Sequence, residues 1–76
     1  MKCTQEMIQE INLLSLFKLN TLQEGIKVHH DAEPEAIAAA QRLFDKGLTT
    51  QVDGGYLTDL GRTANEHAQV LLGILK

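Results

Sequence analysis

The chain has one cysteine, one proline and no tryptophan, and its aromatic side chains are one tyrosine and two phenylalanines. A single cysteine, Cys3, excludes an intrachain disulfide, and its mixed-charge surroundings give no activated thiolate; it fits an inert thiol in a reducing cytoplasm. One proline, six scattered glycines and no repeat leave no linker, so residues 1–76 are expected to form one domain. Positive charge is also short: seven Lys and Arg against ten Asp and Glu give a net charge of −3, the wrong sign for non-specific attraction to nucleic acid or anionic lipid. The longest apolar run, Leu13 to Leu19, is broken by Ser15 and Lys18, so neither a membrane span nor a signal peptide is expected. The glycines form no phosphate loop, and no nucleophile, base and acid fall into a recognised set. A non-enzymatic protein without a cofactor or small-molecule substrate follows as the expectation. What is present is ordinary globular composition, 43% hydrophobic and 22% charged. A core of this size rarely supplies more than about 3–5 kcal/mol unaided, which makes oligomerisation the remaining source of buried area.

Thr4 is placed to cap a first helix, with Glu6 in its electropositive first turn. Met7, Ile8, Ile11 and Leu14 make its inward stripe, and Leu13, Leu14, Leu16, Phe17 and Leu19 nearly encircle its C-terminal half. That surplus is either covered by the rest of the chain or offered to another subunit. Leu22 to Glu24 suits a helical turn stopped by Gly25, and Ile26 to His29 alternates as a short strand does. Asp31-Ala32-Glu33-Pro34-Glu35 opens a second helix, which Gly47 closes. Its inward face is Ala36, Ile37, Ala40, Leu43 and Phe44, and its outward face includes Ala38, Ala39, Gln41, Arg42, Asp45 and Lys46. Leu48–Val52 and Gly55–Thr58 predict a hairpin around Asp53-Gly54 in a type I′ turn, with Gln51 opposite Tyr56 and Thr50 opposite Leu57. Leu48, Thr50, Val52 and Leu57 would then face inward, and Thr49, Gln51, Tyr56 and Thr58 outward. Thr58 caps a last helix in which Leu60, Ala64, His67, Leu71 and Ile74 follow a 4-3-4-3 spacing, a stripe wide enough for a core and an interface together.

Helix, short strand, helix, hairpin, helix is the order of a pared-down winged helix, a helix-dominated α+β fold. Leu43-Phe44-Asp45-Lys46-Gly47-Leu48, followed by Asp53-Gly54-Gly55-Tyr56-Leu57-Thr58-Asp59-Leu60-Gly61, resembles the segment of winged-helix transcription regulators in which a recognition helix ends at Gly-Leu, a wing follows and Leu-Thr-x-x-Gly opens the next helix. Gln23-Glu24-Gly25-Ile26-Lys27-Val28-His29-His30-Asp31-Ala32 and Ala40-Gln41-Arg42-Leu43-Phe44-Asp45-Lys46-Gly47 also resemble short, uncharacterised proteobacterial proteins, some with a DNA-binding label.

These resemblances imply a DNA-binding regulator. On such a helix Ala38 and Ala39 would approach thymine methyls, and Gln41 and Arg42 are the side-chain types that read adenine and guanine. Lys27, Arg42, Lys46 and Arg62 would contact the phosphates of double-stranded DNA. Only one helix lies between the first strand and the wing, however, where a winged helix usually has two, and Glu33, Glu35 and Asp45 share the outward face of that helix. Asp53 also stands at the wing tip, where a phosphate-reading wing carries Lys or Arg. The competing expectation is a homodimeric protein-interaction module without a DNA face, its interface formed by Leu13, Leu16, Phe17, Val70 and Ile74. His29-His30-Asp31 has metal-ligand chemistry, but adjacent strand residues point apart and no spaced ligand set accompanies them, so no metal is expected. His67, inside the apolar stripe, is expected as a neutral core residue.

Overall fold

The computed structural model describes residues 2–19 and 25–76. Over those residues α1 (Gln5–Leu14), β1 (Ile26–Lys27), α2 (Pro34–Asp45), β2 (Thr49–Gln51), β3 (Gly54–Leu57) and α3 (Asp59–Leu75) follow in chain order. The strands form one antiparallel sheet in the order β1-β3-β2, so the architecture is helix-dominated α+β with a winged-helix-like arrangement. The turn expected at Leu22 to Glu24 lies outside the described residues.

Helix limits follow from local chemistry. The Thr4 hydroxyl accepts from the Met7 N–H at 3.1 Å and starts α1, as expected. The helix stops at Leu14, well short of the apolar run's end, and tight turns carry Leu16 N–H to Leu13 O and Phe17 N–H to Leu14 O. Pro34 opens α2, and Gly47, at φ 80°, ends it: Leu48 N–H reaches Leu43 O and Gly47 N–H reaches Phe44 O, both at 2.9 Å. That step is tied directly to α3. The Thr58 hydroxyl donates to Gly47 O at 2.6 Å and accepts from Gly61 N–H at 3.0 Å, while Thr58 N–H donates to Leu48 O at 3.1 Å. A Cβ at residue 61 would run into the Leu48 carbonyl, so the Thr-x-x-Gly sequence joins the end of α2 to the start of α3 by one hydroxyl and one missing side chain.

Leu13, Leu14, Ala39, Ala40 and Leu43 form the buried cluster, with Ile26, Val28, Leu48, Leu57 and Ala64 packed against it. Three expectations about faces are corrected. In α1 the buried residues are Glu10, Leu13 and Leu14, while Ile8 is exposed, because the inward position of residue 10 is filled by an ion pair. In α2, Ala39 is buried and Ile37 and Phe44 lie partly open, because α1 packs on the alanine side of the helix. The hairpin register is shifted: Thr49, one residue before the expected Thr50, pairs with Leu57, and Gln51 pairs with Gly54, two residues before the expected Tyr56, with an irregularity between them. Thr49 is therefore buried and Thr50 exposed, the reverse of the expected alternation. Val52 and Asp53 make the turn with negative φ, Gly54 and Gly55 take the positive values, and the Thr50 hydroxyl accepts from Tyr56 N–H at 2.9 Å across the irregular step.

Candidate functional site

In α3 five large apolar side chains lie outward, while the covered side mixes polar residues with small and apolar ones. On the covered side, beside Gly61, Ala68 and Leu72, the polar residues Arg62, Asn65 and Gln69 reach the strap of chain that leaves α1. Arg62 Nη1 donates to Leu19 O at 3.3 Å, Asn65 Nδ2 to Phe17 O at 3.1 Å, and Gln69 Nε2 to Phe17 O at 3.0 Å and Ser15 O at 3.5 Å. Asn65 is fully buried, and its side-chain oxygen accepts from Gln69 at 3.3 Å, so the amide is satisfied on both ends. Three side chains spaced along one helix face thus pair with alternate carbonyls of an irregular segment that has no strand partner among the described residues.

The outer face of α3 is open and carries most of the helix's large apolar side chains, with Thr63 and Glu66 exposed as well. Leu60 is 58% exposed, Leu71 51% and Ile74 74%, with Val70 and Leu75 exposed beside them. His67 lies on this open stripe, which corrects its expected place in the core; the inner face it would need is occupied by Asn65. Of the residues expected at a dimer interface, Val70, Ile74 and Leu16 are exposed, whereas Leu13 and Phe17 are buried within the chain and leave that list. Phe17 is turned inward by the strap that α3 holds.

The residues expected to touch nucleic acid do not converge on a positive surface. Arg42 Nε donates to Glu10 Oε2 at 2.7 Å, its Nη1 lies 3.8 Å from Glu6, and Lys46 Nζ holds the other oxygen of Glu10. Burial alone would raise the Glu10 carboxyl, but the hydrogen bonds and charges of Lys46 and Arg42 outweigh it and hold the group below its ordinary value of 4.5. Gln41 donates to Asp45 Oδ1 at 2.9 Å, and Arg62 is committed to the strap. Ala39 is buried away from any base edge. Lys27 remains exposed on β1, where a cleft of about 400 Å³ between α2 and the hairpin tip sets it among His30, Gln41 and Asp53, a mixed-sign lining.

Among the described residues, no three His, Cys, Asp or Glu side chains gather as metal ligands, and no helix is long and apolar enough to cross a membrane. His29, His30 and Cys3 are exposed. Sequence reasoning missed two residues that organise the site, Glu10 and Asn65. Glu10 carried a partial signal, with Met7, Leu13 and Leu14 among its neighbours at three and four residues, whereas Asn65, with Arg62 and Gln69 at those spacings, carried none. Their partners, 32 and 48 residues away, are visible only in the fold.

All of residues 1–76 match one family model, described as a family of unknown function (DUF5669), and the chain belongs to that family. No curated protein and no solved structure matches it.

Proposed function

We propose that this family member is a non-enzymatic protein-association module that pairs with a second copy through the outer face of α3. The observation that carries this reading is the outer face of α3, where Leu60, Val70, Leu71, Ile74 and Leu75 are exposed to solvent while Arg62, Asn65 and Gln69 turn inward to the strap. Full burial of a Val, Leu or Ile side chain stabilises by roughly 1.5–3 kcal/mol, so the still-exposed parts of five such residues amount to about 5–9 kcal/mol per protomer. Two protomers together reach about 10–18 kcal/mol, against an association cost of about 4–15 kcal/mol. A twofold pair satisfies both copies with the same stripe, and the 4-3-4-3 spacing is the one at which two helices interlock.

A second reading, a DNA-binding transcription regulator, has the winged-helix-like arrangement and exposed Lys27 in its favour. It is the weaker one because Arg42 and Lys46 spend their charge on Glu10 and Asp53 stands at the hairpin tip. The two are separated by light-scattering mass measurements on the wild type and on Leu71→Glu, beside a titration of duplex DNA at low salt. The association reading predicts a dimer that Leu71→Glu converts to a folded monomer, and no saturable DNA binding. A monomeric wild type, or a mass unchanged by Leu71→Glu, removes α3 as the interface.

A further inference from the structure

A second apolar surface lies away from the α3 stripe. Where α1 crosses α2, a groove of about 420 Å³ opens between Leu13 and Leu16 on one wall and Ala36 and Ala39 on the other. The α2 wall is low because alanine stands where a larger side chain would have filled the space, and Leu16, 64% exposed, overhangs the edge. Glu33 and Glu35 line the rim at the start of α2. No cation among the described residues forms an ion pair with either of them. The groove therefore joins an apolar floor, with space for inserted side chains, to a negative edge that has no cationic side chain paired to it among the described residues.

We infer that this groove receives a basic amphipathic helix from another protein, its leucine-like side chains in the groove and its lysines or arginines against Glu33 and Glu35. The inference rests on the protein-association reading above and supplies the chemistry of the partner, but it does not depend on pairing through α3. Charge selects this occupant. Nucleic acid and anionic lipid carry the sign that the rim repels. A second copy of this chain has α3 as its open apolar helix, and α3 has no lysine between Asp59 and Leu75, while its single arginine, Arg62, is turned inward. A helix with cations flanking its apolar stripe meets both parts of the site.

The test is fluorescence titration of the full chain against a designed leucine–lysine amphipathic helix, with a leucine–glutamate helix of the same spacing as control. The expected result is saturable binding of the lysine peptide that weakens with salt, and at least about tenfold weaker binding of the glutamate peptide. Ala36→Leu, which fills the groove, and Leu16→Gln, which removes its overhang, are each expected to weaken the lysine peptide about tenfold or more. Circular dichroism of each variant establishes that it is folded. Ile74→Lys, on the α3 face, is expected to leave peptide affinity unchanged. Equal binding of the two peptides, affinity unaffected by both groove variants, or loss with Ile74→Lys would each overturn the inference. So would dissociation of a dimer by Ala36→Leu, which would make the groove a contact between copies. A monomeric wild type that still binds the lysine peptide at the groove would refute the α3 pairing and leave the groove standing.

Discussion

Replacing Glu10 by glutamine keeps the shape of the side chain and removes the charge that Arg42 and Lys46 enclose. Stripping one partner from a fully buried ion pair costs roughly 3–5 kcal/mol, an upper limit for this site. The Arg42 side chain is 23% exposed and that of Lys46 54%, so water takes over much of what Lys46 loses and part of what Arg42 loses. About 1.5–2 kcal/mol remains, which for a domain of this size lowers the melting temperature by about 6–16 °C. The pH dependence has a definite sign. Because the folded carboxyl lies below its ordinary value of 4.5, its contribution is fully present above that pH and is lost as pH falls through the folded value. Glu10→Gln should therefore lie below the wild type at neutral pH and converge with it in acid. Urea or thermal melts followed by far-ultraviolet circular dichroism, at one protein concentration from neutral pH to below pH 4, measure both effects. A melting temperature within about 2 °C of wild type at neutral pH, or parallel acid profiles, would refute the enclosed-charge account.

Gly61→Ala places a methyl group against the Leu48 carbonyl, backbone that cannot move without releasing the Thr58 cap, so a loss of about 2 kcal/mol or more is expected in the same melts. Wild-type stability in that variant would mean α3 does not seat as closely as described. Asn65→Leu removes the buried donor to Phe17 and leaves Gln69 alone on that carbonyl; a loss of about 1–3 kcal/mol is expected, with faster amide exchange across residues 15–19. Unchanged exchange there would show that the strap is held by something other than α3.

Much of the fold was legible because its signals are local. Thr4, Pro34, Gly47 and Thr58 each act on backbone groups within a few residues, and the helix limits they set are found in the structure, apart from the early end of α1. Faces were less legible. The shifted register of the hairpin arises because Gly54 and Gly55, not Asp53 and Gly54, take the positive φ, and a sequence containing Asp-Gly-Gly admits both placements. Glu10 moved the inward stripe of α1 because two cations from α2 and its C-terminal cap reach it, a tertiary fact that no helical wheel contains. At the candidate site, the open stripe of α3 was visible as a surplus of leucine and isoleucine. Which residues the chain itself covers is not, so the sequence alone leaves Leu13 and Phe17 among the interface candidates, and the fold buries both. The basic residues had the right types for reading DNA, and only their partners show how that charge is used.

Sedimentation of the wild-type chain over a concentration series, alone and with labelled duplex DNA at low salt, tests the association account most directly. It predicts reversible conversion to a species of twice the chain mass, with the DNA sedimenting as it does alone. A chain that stays monomeric throughout, or DNA that moves with the protein and is released by salt, would contradict it.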